Sequence, residues 1–284
     1  MPLSLDQPDR LSAFLRDIAL EAGRLALAHF QEGGKTTART WAKAGGSPVT
    51  EADIAVDHFL RERLSAALPE AGWLSEETAD DPIRCEKRIL WVVDPIDGTR
   101  AFAAGDPRWA VAIALLVDDV PIAGIVHAPA LAVTYEAARQ RGALRNGVPM
   151  HLETPPSLDV ARVAGPKPIV ELIARQAPGL VLQPKVPSLA LRLMLVADGS
   201  IDVGVASVNA HDWDIAAADL ILREAGAILS EIDGTPPVYN KLEPTHGVLV
   251  AAAPALQAEA LAAIGGVQRF RPSATGGTPH GGRQ

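Results

Sequence analysis

The segment Asp94-Pro95-Ile96-Asp97-Gly98-Thr99 directly follows the apolar run Ile89-Leu90-Trp91-Val92-Val93, so two carboxylates stand where a buried strand ends. The strand delivers Asp94 at its carboxyl end, Pro95 and Gly98 bend the chain, and Asp97 returns within the same turn. Both carboxylates can then face one cation, with the Ile96 carbonyl inside the turn as a further oxygen donor. The amides of Gly98 and Thr99 are free to hold an anion if a helix starts at Arg100. Hard oxygen ligands beside amides that bind an oxyanion suit metal-assisted phosphate chemistry. Asp-Pro and Asp-Gly are also ordinary turn dipeptides, so the hexapeptide alone does not separate a site from a turn.

Three further acidic elements stand at element ends. Ser75-Glu76-Glu77-Thr78 follows the short apolar stretch Trp73-Leu74, and a solvated acidic loop is its structural alternative. His211-Asp212-Trp213-Asp214 opens an apolar-periodic stretch, with Asp214 in the first helical turn, where a carboxylate also suits the dipole. Thr50-Glu51-Ala52-Asp53 reads as a helix opening with Thr50 at the N-cap and Asp53 closing a capping-box variant. Glu76, Asp94, Asp97 and Asp214 form an oxygen-only donor set. Such a set suits Mg²⁺ or Mn²⁺ and excludes zinc, which favours thiolates and imidazoles. That many carboxylates leave room for two or three ions.

Taken together, Thr50-Glu51-Ala52-Asp53, Ser75-Glu76-Glu77, Asp94-Pro95-Ile96-Asp97-Gly98-Thr99 and Trp213-Asp214 resemble, in order and spacing, the inositol monophosphatase-like superfamily of metal-dependent phosphatases. The resemblance runs over roughly residues 10–265 and implies an α/β fold, a layered αβαβα sandwich with the active site between an α+β N-terminal part and an α/β C-terminal part. The corresponding boundaries are residues 1–150, carrying most of the metal ligands, and 151–268, completing the site, with a disordered Gly/Pro-rich tail at 269–284. The resemblance further implies that Glu76 and Thr99 hold the attacking water, that Asp53 polarises Thr99, and that Glu76, Asp94, the Ile96 carbonyl, Asp97 and Asp214 hold the metal. Phosphate and substrate contacts fall to Asp97, Gly98, Thr99, Arg100 and Asp214, with a supporting role for Glu77.

The elements that must position these residues are legible in the pattern. Leu11, Phe14, Leu15, Ile18, Ala22, Leu25 and Ala26 recur at three and four, giving an amphipathic helix that ends near Gly33-Gly34. A second helix, with Ala52, Ala55, Val56, Phe59, Leu60 and Leu64 on its apolar stripe, follows Pro48. Strand-like runs at 89–93, 110–117, 122–127 and 133–137 read as a sheet with helices on one side. Beyond a junction at 151–158, strands near 161–165, 181–183, 202–206, 227–232 and 247–251 alternate with helices at 169–176, 189–197, 214–225 and 254–264. Such alternation indicates α/β layering.

The 284 residues carry a net charge of −8 with no basic stripe, which argues against a nucleic-acid polymer as partner. No apolar run approaches a membrane span, no basic-then-apolar leader opens the chain, and the single cysteine, Cys85, suits a reducing cytoplasm. A small phosphorylated metabolite is the expected partner, and a homodimer is left open. Gly33-Gly34-Lys35-Thr36 lacks the first glycine of a P-loop, where His29 stands, and follows a helix. No Gly-x-Ser-x-Gly elbow is present, and the histidines lack ligand spacing. His211 is a candidate substrate contact, with a helix-capping role as its alternative.

For the substrate, Arg100 after Thr99 resembles the 3′(2′),5′-bisphosphate nucleotidase branch. Ser207 stands where the inositol branch commonly places a glutamate. A lysine expected after Ser188 in the nucleotidase branch is replaced by Leu191-Arg192. The expected activity is therefore a 3′(2′),5′-bisphosphate nucleotidase, converting 3′-phosphoadenosine 5′-phosphate to AMP. Inositol monophosphatase is the alternative, and a catalytically silent binding protein with the same fold is the alternative of another class.

Overall fold

The amphipathic stripe over residues 11–26 folds as helix α1 (Pro8–Leu27), which buries Leu11, Leu15, Ile18, Ala22 and Ala26. The structure is a computed structural model that describes residues 3, 5, 7–43, 46–153 and 157–265; the proposed tail at 269–284 lies outside them. The chain runs on through a hairpin of β1 (Thr40–Ala42) and β2 (Pro48–Thr50), α2 (Glu51–Ala67), β3 (Gly72–Ser75), β4 (Ile89–Asp97), α3 (Thr99–Ala104), β5 (Ala110–Val117), β6 (Val120–Ala128), β7 (Val133–Ala138), β8 (Ala143–Arg145) and β9 (Val148–Pro149). There follow β10 (Arg162–Ala164), α4 (Lys167–Gln176), β11 (Val181–Leu182), α5 (Leu189–Ala197), β12 (Val203–Ala206), β13 (Ala210–His211), α6 (Asp212–Ala225), β14 (Ile228–Glu231), β15 (Thr245–His246), β16 (Leu249–Ala252) and α7 (Pro254–Gly265).

Strands β3 to β9 form a seven-stranded sheet in chain order. Only the β3–β4 pair is parallel, with Ser75 opposite Val93. The second sheet has the order β11-β10-β12-β16-β14. Three apolar clusters fill the gaps between layers. One joins α1 and α2 to a face of the large sheet, the next packs α5 and α6 between the two sheets, and the last lays α4 and α7 on the outer face of the small sheet. This is the αβαβα sandwich expected from the resemblance.

Three local expectations are corrected. Helices cover both faces of the large sheet rather than one, and the sequence carries the reason: all nine residues of β4 are buried, as in a strand sandwiched between layers. The covering helices α5 and α6 come from the distant C-terminal half. Helix α1 stops at Leu27 rather than near Gly33-Gly34, because its apolar stripe ends at Ala26 and the chain leaves to meet α3, where the Gly33 amide donates to the Gly105 carbonyl at 2.8 Å. Helix α6 begins at Asp212, two residues before the expected start.

Candidate active site

Strand β4 carries Asp94 and Asp97 at its carboxyl end, and a register shift against β5 between them turns both side chains inward. Gly98 follows at φ +94, a left-handed conformation that residues with a Cβ adopt at a cost. Helix α3 then starts at Thr99, one residue earlier than expected. Helix α6 brings Asp214 from the far side. Asp94, Asp97 and Asp214 each offer a carboxylate oxygen within 4.8 Å of one another.

The three are held differently. Asp94 Oδ1 accepts from the Ile96 amide at 3.0 Å, while its Oδ2 is buried without a hydrogen-bond partner. Asp97 accepts from the Ser188 hydroxyl at 2.7 Å and the Ala190 amide at 2.6 Å through Oδ2, and from the Leu189 amide at 3.2 Å through Oδ1. It thus caps α5 from another part of the chain. Asp214 accepts the His211 amide at 2.7 Å. Desolvation, reinforced by Glu76, Asp97 and Asp214, pushes Asp94 well above the usual carboxylate range. Desolvation and the Asp97 charge do the same to Asp214. Asp97 is raised to about 6 by desolvation, its hydrogen bonds opposing the shift. Buried carboxylates packed together with an orphaned oxygen fit a resident cation, which would neutralise them.

Asp53 lies beside this cluster at the start of α2. The capping box forms as expected: Asp53 Oδ2 accepts from the Thr50 amide at 2.8 Å and the Thr50 hydroxyl at 2.6 Å. Its Oδ1 is 3.0 Å from the Thr99 hydroxyl, which also lies 3.1 Å from the Ile96 carbonyl. Asp53 thus caps the helix through Oδ2 and meets Thr99 through Oδ1. Glu76 is not among the three clustered carboxylates; it meets Lys43 Nζ at 3.0 Å, and Glu77 meets the same ammonium at 2.7 Å. Burial raises Glu77 to about 7, with Lys43 opposing. Lys43 follows the hairpin strand β1 and carried no spacing signal in the sequence.

Arg100 is exposed on α3, and the nearby Asp106 is held by Arg108. His211 is half-buried and stacks on Trp213 with ring centroids 4.4 Å apart. A pocket of about 230 Å³ adjoins Asp97 and Asp214 and reaches Ser207, Lys185 and Arg192. Of these, Lys185 stood out in no motif.

A family model described as the inositol monophosphatase family matches residues 7–269, and the chain belongs to that family of phosphatases. It is 32% identical over 240 residues to a 3′(2′),5′-bisphosphate nucleotidase CysQ of Aggregatibacter actinomycetemcomitans, covering 80% of this chain and 86% of the relative. It is 36% identical over 218 residues to a histidinol-phosphatase of Mycobacterium tuberculosis, covering 72% and 82%. Among solved structures, the extragenic suppressor protein suhB of Bartonella henselae superposes with a TM-score of 0.79 at 25% identity, over 90% of this chain and 98% of that one. An inositol monophosphatase of Zymomonas mobilis gives 0.74 at 26%, over 90% and 98%. The chain is thus a metal-dependent phosphoric monoester hydrolase by family, and among the described residues no helix is long and apolar enough to cross a membrane.

Proposed function

We propose that the chain is a Mg²⁺-dependent 3′(2′),5′-bisphosphate nucleotidase acting on 3′-phosphoadenosine 5′-phosphate in the cytoplasm. The observation that carries the reaction class is the convergence of Asp94, Asp97 and Asp214 within 4.8 Å beside the Asp53–Thr99 contact. The nucleotidase relative supports the substrate. Asp94, the Ile96 carbonyl, Asp97, Asp214 and Glu76 would hold two or three Mg²⁺ ions, with Mn²⁺ as a substitute. When bound, these ions supply charge neutralisation for the phosphoryl and leaving oxygens and acidify a water.

The chain's own residues orient the attack. Thr99 donates a hydrogen bond from its hydroxyl to Asp53 Oδ1, which leaves its oxygen lone pairs to accept from the attacking water, while Glu76 accepts a hydrogen bond from the same water. Lys43 engages Glu76 through Oε1 and Glu77 through its own Oε1, so Glu76 Oε2 is left for that water. The amides at Gly98 and Thr99 hold a phosphoryl oxygen.

Histidinol phosphate is a second reading, favoured by the 36% identity to the mycobacterial enzyme. A panel of kcat/KM values for 3′-phosphoadenosine 5′-phosphate, histidinol phosphate, inositol 1-phosphate and fructose 1,6-bisphosphate decides among them. The nucleotide should lead by at least about tenfold; a lead by any other ester overturns the nucleotidase reading.

A further inference from the structure

Asp214 reaches the acidic cluster from α6, and among the described residues the one hydrogen bond its carboxylate accepts comes from the His211 amide at 2.7 Å. No donor on β3 or β4 holds it. Its place beside Asp94 and Asp97 is therefore set by where the first turn of α6 sits. That turn is clamped through Asp212, which is fully buried. Asp212 Oδ1 lies 2.8 Å from His246 Nε2, and its Oδ2 accepts from the Asn240 amide at 2.8 Å. The Asp212 amide in turn donates to the Pro244 carbonyl at 3.0 Å. All three partners belong to the segment 240–246, which ends in β15.

Asn240 ties this segment to the other half of the chain. Its backbone stands at φ +59, in the left-handed region that asparagine enters more readily than most residues, and its side chain is buried. Oδ1 accepts from Arg84 Nη1 at 2.7 Å, and Nδ2 donates to Asp119 Oδ1 at 2.7 Å. The opposite amide orientation would set donor against donor and acceptor against acceptor. Arg84, also buried, donates to the Asp80 carboxylate at 2.6 and 2.8 Å and to the Lys241 carbonyl at 2.9 Å. Asp80 lies on the segment that leaves Glu76-Glu77 at the end of β3. One chain of hydrogen bonds, Asp80–Arg84–Asn240–Asp212, thus joins the arm that bears Glu76 to the arm that bears Asp214.

We infer that Asn240 is a positioning residue for the cation site: with Arg84 and Asp212 it fixes the separation of the Glu76 arm and the Asp214 arm. The inference rests on the metal-dependent reading above and adds what holds the carboxylates in register. Residues that orient ligands without touching the ion change metal affinity by about 10–100-fold when replaced.

Mg²⁺ binding to the full chain, measured by titration calorimetry without substrate, tests this. Asn240→Gly keeps the left-handed backbone and the amide that Asp212 accepts from, but cuts the side-chain ties; it should raise the Mg²⁺ dissociation constant at least about tenfold. Asn240→Asp should do the same, because its second oxygen meets Asp119. Adding Asp119→Asn, which exchanges donor and acceptor, should recover most of that loss. Asp119 is exposed, so Asp119→Ala folds even where the Asn240 variants do not, and it should raise the constant about threefold, the effect of one ordinary hydrogen bond. Arg16→Met on α1, which strips the buried Glu136 of its partner, should lower the melting temperature in chelator and leave Mg²⁺ binding as it is. An unchanged constant in every Asn240 and Asp119 variant that folds, or an equal weakening by Arg16→Met, overturns the inference while the parent's Mg²⁺ binding keeps the metal-dependent reading standing. A parent that binds no Mg²⁺ overturns both.

Discussion

The three clustered aspartates, alike in charge, differ in what their neighbours ask of them, and single-atom substitutions separate these demands. An asparagine at position 94 keeps the acceptor used by the Ile96 amide and places its NH₂ where Oδ2 now has no partner. It also removes one of several mutually repelling charges. Asp94→Asn should therefore reduce kcat/KM by at least about a hundredfold at saturating Mg²⁺, because an amide is a poor ligand for a hard cation. It should also raise the metal-free melting temperature by ~2–4 °C, the shift that about 1 kcal/mol gives in a large domain. Steady-state assays and a melting scan in chelator check both halves. Asp97→Asn is a worse probe of metal binding: whichever way its amide is turned, an NH₂ faces donors on Ser188 and Ala190 or on Leu189. It should lose activity and also lower the melting temperature. For Arg100, exposed on α3 and absent from the pocket lining, Arg100→Ala should leave kcat/KM on 3′-phosphoadenosine 5′-phosphate within about fivefold of the parent.

At the scale of elements, α1 lies so close to β6 that a Cβ on Gly23 would meet the His127 ring at 2.7 Å. Desolvation in that contact holds His127 near pKa 4, although its ring Nδ1 has the Thr134 hydroxyl at 2.9 Å. The unfolded chain binds a proton near pH 6.5 that the native state refuses until about pH 4. Stability from this group is thus complete above pH 6.5 and falls as pH drops through that window. The raised carboxylates of the acidic cluster act in the opposite sense, so the difference between parent and His127→Asn isolates the effect. Their denaturation midpoints should converge as pH falls from 7 to 4; parallel curves would contradict the assignment. Elements of this kind differed in how far the sequence revealed them. The run that became α1 was legible because its apolar residues recur at three and four, a local signal, and so was the β4 turn. Which face of a sheet another helix would cover was not, since α6 packs on β4, β5 and β6 from much later in the chain. The same limit hid Lys43, whose contacts with Glu76 and Glu77 no spacing encodes. Asp53, Asp94, Asp97 and Asp214 were legible because each marks the end of a recognisable element.

For the whole molecule, the acidic cluster joins parts that would otherwise be held by apolar packing alone: β4, the N-terminus of α5 and the first turn of α6. Its burial without a cation makes it a source of repulsion, and an ion that binds only the native state stabilises by mass action. Millimolar Mg²⁺ should raise the melting temperature by several degrees, with a gain that grows with the logarithm of concentration; a flat response would count against a clustered site. The dependence on α6 also bears on how the chain is made. As it leaves the ribosome, β4 to β7 can pair while one face of their sheet is still bare, because the helix destined to cover it has yet to be translated. Over that interval the nascent sheet offers an apolar surface to chaperones and to other chains. The aspartate that completes the acidic cluster, Asp214, arrives on the same helix, so the step that hides this surface also brings the three carboxylates together.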